Sequence, residues 1–270
     1  MDTTNGVNAV APVNNGMSLP YRITCDDGYE YHVKFKDNPN GTKFLVNEFI
    51  SSEIANILNI PVPINKIINL DESFINLFGN KIAGHIKAIP SIGLHFGSRS
   101  IEKSTIINSS KVIAKTTNND VLSSVLLFDH LIGNIDRTDN IGNLLLDIKN
   151  KEIVVIDHTH AFELASVWDE AQLNRMANED FHAYNMHECV YSKWIKFING
   201  NNPFQDFFDN LRNLTDDCLE SIINEIPQEW GVTEGEQNAL IRYLKSRRDK
   251  IHTLPPLLKP YLPYWKGGNN

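Results

Sequence analysis

Cysteine is scarce in this chain. Cys25, Cys189 and Cys218 are its three; they are odd in number, lie far apart and form no CxxC pair, so they read as reduced thiols and not as a disulfide framework. Long apolar runs are also lacking: no stretch approaches the ~20 residues needed to cross a bilayer. The opening MDTTNGVNAVAPVNNG has neither a basic flank nor a long apolar core, which excludes a secretory signal of the usual form, and a cytoplasmic address is the expectation. Basic residues are outnumbered, 25 Lys and Arg against 33 Asp and Glu, for a formal charge of −8. Broad attraction to nucleic acid needs the opposite balance, although a local basic cleft for one polyphosphate stays open.

What is there is ordinary globular material. Hydrophobic residues make up 41% and charged residues 21%, which argues against disorder outside the ends. With 270 residues the chain can bury one large core or two modest lobes. Residues 1–14 show no periodicity and are expected to form a mobile arm. YRITC and YEYHVKF read as two strands joined by the Asp26-Asp27-Gly28 turn. In the second strand Tyr31, Val33 and Phe35 fall on one face and His32, Lys34 and Lys36 on the other. After the DNPNG loop, Phe49, Ile50, Ile54 and Ile57 recur at helical spacing until Pro61 and Pro63. INKIINL and IAGHIKAI read as two further strands, completing a small sheet-plus-helix lobe over residues 15–100.

A second lobe is expected over 101–258. Its strongest element is NNDVLSSVLLFDHLIGN, with Val121, Val125, Phe128 and Ile132 in an apolar stripe and Gly133 placed to close the helix. NLLLDI and EIVVID, separated by Lys149-Asn150-Lys151, read as a hairpin. SKWIKFI, DCLESIINEI and EQNALIRYLKSRRDKIHTL then make the lobe mostly helical, and 259–270 reads as a tail. The fold class is α+β.

The chemistry concentrates between these elements. The order is helix, then the polar loop Asn134 to Asn143, then the hairpin, then Ile156-Asp157-His158. Phosphoryl transfer needs a carboxylate to position and deprotonate an acceptor hydroxyl, and oxygen ligands that hold Mg²⁺ against phosphates. Asp136 suits the first role; Asn143, or Asn140 in its place, and Asp157 suit the second. Asp157 follows four consecutive apolar residues, which puts its charge at a cleft edge. Singly, each such residue has a plainer reading as a turn former or helix cap. Upstream, Lys34 lies mid-strand and Glu48 early in the next helix, where a lysine can meet phosphates and a carboxylate can hold it. A solvated lysine is the plainer alternative, and Lys36 shares its face.

These residues resemble the HipA-like kinases. Lys34 in YHVKFK, Asn47-Glu48 in FLVNEFISSEIANILNIPVP, GNIDRT with NLLL, and VVIDH occur in that family's order over roughly Gly16 to Phe162, notably as in its short stand-alone branch. The resemblance implies a bilobal protein-kinase-like fold that binds ATP with Mg²⁺ and phosphorylates Ser or Thr of a protein. It implies Lys34 as the phosphate-binding lysine with Glu48 as partner, Asp136 as catalytic aspartate, Asn143 as loop asparagine and Asp157 as metal-binding aspartate. Gly16 and Ser18, in GMSLP, would correspond to the nucleotide-covering loop. Several members of the family act as toxins, but no helix-turn-helix or companion segment identifies a toxin–antitoxin partner. Thr138 departs from the DRH found in many relatives, Asn143 lies later than usual, and no full GxGxxG loop is present.

Two other functions compete: a nucleotide-binding pseudokinase acting through its surface, and a metal-dependent hydrolase using Asp129, His130, His158 and His160. The latter lacks tight ligand spacing. Ser98 and Ser100 are further hydroxyls near the expected nucleotide lobe. Lys245, Arg247, Arg248 and Lys250 read as a solvated helix face, or as a contact for an acidic partner.

Overall fold

The computed structural model describes residues 1–14, 18–187 and 190–267, apart from the side chain of Thr138. Gly16 and Cys189 lie outside the described residues. In chain order the elements are β1 (Thr3–Pro12), β2 (Tyr21–Cys25), β3 (Glu30–Lys34), α1 (Lys43–Ile57), β4 (Asn65–Leu70), α2 (Glu72–Ile86), β5 (Gly93–Arg99), β6 (Ser104–Ile106), α3 (Ser110–Ile113), α4 (Leu122–Leu131), β7 (Leu144–Asp147), β8 (Glu152–Val155), α5 (Glu170–Met176), α6 (Gln205–Leu211), α7 (Asp216–Asn224), α8 (Glu234–Lys250) and α9 (Leu254–Leu258). A small sheet lobe precedes a mostly helical one, as the pattern of elements leads one to expect.

The first strands close into a barrel in the order β1-β2-β3-β5-β4, with β1 pairing antiparallel to β2 and parallel to β4. The expectation of a mobile arm over residues 1–14 is therefore overturned: most of it is the strand that seals the barrel. Its side chains are too small and too polar to announce a strand, and its order comes from partners. Two edges, β2 and β4, would otherwise expose unpaired N–H and C=O groups. Gly6 is needed at the bulged crossing, where a Cβ would meet Leu70 Cδ2 at 2.5 Å.

The β2–β3 hairpin forms where its turn sequence places it, with Gly28 at φ 83 and its N–H donating to the Cys25 carbonyl at 3.0 Å. IAGHIKAI, by contrast, is not a strand; its first five residues finish α2. Asp71 caps that helix by accepting the Phe74 N–H at 2.8 Å. Phe74, Ile82 and Ile86 then recur at helical spacing and bury themselves against the barrel. The strand that pairs with β3 and β4 is instead β5, whose GLHFGSR carries two glycines and a histidine and so shows little strand propensity.

Helix α1 is buried on nearly every side. Phe44, Leu45, Phe49, Ile50 and Ile54 join one core cluster that runs on through α4 and α8 of the helical lobe, whereas Tyr31, Val33 and Phe35 belong to a separate core inside the sheet lobe. The helix that carries Glu48 is thus packed into the second lobe as firmly as into the first. SKWIKFI forms short 3-10 turns rather than a regular helix, with Trp194 buried between them. The basic run on α8 is only partly a solvated face: Lys245 and Arg248 pair with Asp216 of α7, and Arg247 is buried against the His130 carbonyl.

Two buried neutral histidines make the fold sensitive to acid. Burial pushes His95 down from 6.5 to about 4 and His130 down from 6.5 to about 3. His95 accepts the Lys36 N–H and lies 3.1 Å from the Ser91 carbonyl, partners that suit one neutral tautomer. As pH falls from 6.5 towards 4 the unfolded chain takes up protons that the folded chain refuses, so stability falls with pH across that window. The loss should reach about 2–3 kcal/mol for each histidine near pH 4. We expect the melting temperature to drop steadily over this range and His95→Gln to flatten the drop. A midpoint constant from pH 6.5 to 4 would contradict this account.

Candidate active site

Lys34 ends β3 on the face turned away from the sheet-lobe core, as strand alternation requires. Lys34 is only 8% exposed, and its ammonium is bonded to the Glu48 carboxylate on α1 and to Asp157 Oδ1 at 3.0 Å. Burial alone would lower the lysine; the charges of Asp157 and Glu48 more than reverse this and hold it well above its ordinary value. Lys36, the alternative on the same face, pairs elsewhere, with Glu229 and with the Ile92 carbonyl at 2.7 Å.

Asp157 follows β8 with φ 59, a left-handed backbone that Asp tolerates better than most residues. Burial works against its charge, but the Lys34 ammonium, helped by the Thr159 hydroxyl, holds the carboxyl far below the ordinary range. Phe162, Glu163 and Ala165 also have positive φ, at about 1–2 kcal/mol each for such residues. What keeps this segment in place is Asn47. Its amide donates to the carbonyls of Thr159, Ala161 and Ala165 at 2.7, 3.3 and 2.8 Å, and its oxygen accepts the Trp168 indole N–H at 2.8 Å. One turn of α1 therefore fixes Lys34 through Glu48 and the chain after Asp157 through Asn47.

The polar loop is organised from beneath by Arg137, which is 0% exposed. Its Nε donates to both oxygens of the equally buried Asp129, at 2.8 and 2.9 Å. Its Nη1 donates to the carbonyls of Asn143 at 2.6 Å and Ile156 at 3.1 Å, the residues carrying and preceding the site groups. Tyr191 adds a hydroxyl donor to Asp129 at 2.9 Å. On the outer side of the loop, Asp136 Oδ2 accepts the amides of Asn143 at 2.7 Å and Asn140 at 3.2 Å. The side-chain oxygen of Asn140 is committed to the turn, accepting the Gly142 N–H at 3.0 Å.

Lys34, Glu48, Asn140, Asn143 and Asp157 line one cavity of about 280 Å³ between the lobes. Ser18, Ser98 and Ser100 line it too, while Pro20, Phe96, Ile106, Leu145 and Ile156 give it apolar walls. Asp136 adjoins through its bond to Asn143. Groups drawn from β3, α1, the loop before β7 and the end of β8 thus meet in one cleft. The hydrolase ligands do not. Both ring nitrogens of His130 are engaged, by the Leu126 carbonyl and the Tyr184 N–H, and Asp129 is held by Arg137. His158 lies 3.7 Å from Glu48. Among the described residues no group of three or more His, Cys, Asp or Glu is gathered to hold a metal.

A model of the HipA-like kinase family matches residues 7–252. The chain belongs to the HipA-like kinase family. The crystal structure of the Helicobacter pylori proinflammatory kinase CtkA superposes with a TM-score of 0.59 at 15% identity, covering 95% of this chain and 98% of that one. The Golgi casein kinase aligns with a TM-score of 0.46 at 12% identity, over 93% of this chain and 73% of its own. At such identities CtkA speaks for the fold alone, and the fold of this HipA-like kinase is protein-kinase-like. No curated protein sequence matches it. Among the described residues no helix is long and apolar enough to cross a membrane.

Sequence reasoning missed Arg137 and the clamp made by Asn47. Both had a signal. Asp129 is the one acid in α4, a helix buried along its whole length, and a fully buried acid requires a buried cation. Asn47 sits among apolar residues of α1, where an amide persists only if its hydrogen bonds are met.

Proposed function

We propose that this HipA-like kinase transfers the γ-phosphoryl group of ATP, with Mg²⁺, to a hydroxyl, most simply that of Ser or Thr in a protein. The observation that carries the proposal is the convergence of Lys34 and Asp157 with Asn143 in one interlobe cavity, Lys34 reaching in from the sheet lobe. In this reading Lys34 pairs with phosphate oxygens, and Glu48 keeps its ammonium aimed there. Asp136 accepts the proton of the attacking hydroxyl as the new oxygen–phosphorus bond forms and the bond to the departing ADP breaks. Its Oδ2 accepts the amides of Asn140 and Asn143, which anchors the carboxylate beside the cavity.

The donor set fits a hard divalent cation: Asp157, whose carboxyl stays ionised, and the amide oxygen of Asn143 would hold it, phosphate oxygens completing the shell. Asn143 suits this better than Asn140, whose oxygen is already used within the turn. Bound there, the metal would neutralise charge on the phosphates. Ser18 supports the reading as a cavity-lining hydroxyl opposite the loop; Gly16 lies outside the described residues.

The test is phosphate transfer from ATP, followed by intact mass of the protein and of candidate acceptor proteins, with and without Mg²⁺. Metal-dependent phosphorylation is expected. Thermal stabilisation by ADP and Mg²⁺ with no transfer to any acceptor would favour the pseudokinase instead.

A further inference from the structure

A second hollow, an open groove of about 790 Å³, lies against the connection that carries the chain from β5 to β6. Pro63, Arg99, Ser100 and Ile101 line both this groove and the interlobe cavity, so the two share a wall. The turn between β7 and β8 lines it as well. Its cations are Arg99, Lys103 and Lys149, and none of them is in an ion pair among the described residues. Elsewhere in this acidic chain cations find carboxylates: Lys36 pairs with Glu229, Lys43 with Glu236, Lys66 with Asp27, and Arg248 with Asp216. Arg99 stacks on the ring of Tyr29, which steadies the guanidinium without neutralising it. Two acids also line the groove, Glu102 and Asp147. Asp147 is spent on the turn: its Oδ1 accepts the N–H groups of Lys149 at 2.9 Å and Asn150 at 3.2 Å, and its Oδ2 accepts the Asn150 amide at 2.9 Å. The groove therefore offers positive charge that nothing in the chain uses.

It also offers apolar surface. Ile64 and Ile148 line it while remaining 56% and 49% exposed. Large aliphatic side chains left in water beside unpaired cations mark a surface that another molecule covers. That molecule must carry negative charge and aliphatic groups together. Single-stranded nucleic acid suits the charge but not the rest, because its bases stack on aromatic rings and no aromatic residue lines the groove. The chain's formal charge of −8 opposes it further. An extended polypeptide meets both demands: its side chains alternate at a period of two, so carboxylates reach the lysines while aliphatic neighbours lie on Ile64 and Ile148.

We propose that this groove is a docking site for an extended acidic segment of a partner protein, held by Arg99, Lys103 and Lys149 and by the exposed faces of Ile64 and Ile148. That the partner is the acceptor of the phosphoryl group rests on the kinase reading of the neighbouring cavity; the docking itself does not.

The experiment is binding of four probes: the labelled peptide EDLEEIEDE, its basic counterpart KRLKKIKRK, a decathymidine oligonucleotide, and ADP with Mg²⁺. Each is titrated against wild type, Lys103→Glu/Lys149→Glu, Ile148→Ser and the charge-matched control Lys193→Glu/Lys196→Glu, which lies outside the groove. The acidic peptide is expected to saturate wild type and to weaken by about 5- to 50-fold in Lys103→Glu/Lys149→Glu, where two exposed attractions become repulsions. Ile148→Ser should weaken it by about 2- to 10-fold. The control should stay within about twofold, since salt screens distant exposed charges, and ADP should bind every variant as it binds wild type. The proposal is overturned if the acidic peptide fails to saturate wild type, if the control weakens it as much as the groove pair does, if Ile148→Ser has no effect, or if the basic peptide or the oligonucleotide binds as well. ADP bound without the acidic peptide removes the docking groove and leaves the kinase reading standing. The acidic peptide bound in this pattern without ADP does the reverse.

Discussion

Replacing Arg137 by methionine is expected to destabilise the protein by about 3–5 kcal/mol, the usual result of breaking one partner out of a buried ion pair. Methionine fills much of the same volume, so the loss is electrostatic rather than a cavity effect. Asp129 would be left at 0% exposure with, among the described residues, the Tyr191 hydroxyl and a long contact from Asn134 in place of a two-oxygen bond to a guanidinium. The carbonyls of Asn143 and Ile156 would lose their donor in the same step. For a chain of this length the melting temperature should fall by roughly 10 °C. Because the missing charge pair causes the loss, adding Asp129→Leu should recover part of it, and a double-mutant cycle would show a coupling well above the few tenths expected of independent sites. Additive losses, or an unchanged melting temperature in Arg137→Met, would show that the pair does not support the loop.

Asp136→Asn should behave in the opposite way, with a large loss of turnover and an intact fold. The substitution is nearly isosteric and half-buried, and one oxygen remains to accept the amide of Asn143. The melting temperature should stay within about 2 °C of wild type, since surface-type changes usually fall within ±0.5 kcal/mol. ADP binding should persist, because Lys34, Asp157 and Asn143 are untouched. Loss of a positioned proton acceptor lowers the chemical step by about 10²- to 10⁴-fold. Turnover should therefore fall by that factor while the KM for ATP changes little. Retention of full turnover by Asp136→Asn would remove Asp136 from the mechanism. Loss of ADP binding along with turnover would mean that it supports the site rather than the chemistry.

The elements whose sequence carries its own periodic pattern were legible without coordinates. The hairpin β2–β3, helix α1, helix α4 and the hairpin β7–β8 stand where alternation, turn residues and apolar stripes place them. The same holds for the face of Lys34, since a strand's period of two leaves no choice once Tyr31, Val33 and Phe35 are buried. The elements that were missed draw their stability from neighbours. β1 is ordered by the two edges it bridges, β5 by its place between β3 and β4, and the second half of α2 by a cap ten residues or more upstream of IAGHIKAI.

The sequence by itself determined the succession of chemical groups: an ammonium, a helix carboxylate, a loop of Asp and Asn, and an Asp at a strand end, each on an element whose local pattern is strong. Only the tertiary structure decided which lysine faces the cavity and which of the two cavity-lining asparagines spends its side-chain oxygen on the turn. Lys34 and Lys36 share a strand face, and Asn140 and Asn143 share a loop, so no local signal separates them. Their partners do: Glu48 and Asp157 for one lysine, Glu229 for the other, and the Gly142 N–H for the side-chain oxygen of Asn140. Those partners are distant in the chain, or are backbone groups whose direction depends on the turn, and such contacts exist only once the chain is packed.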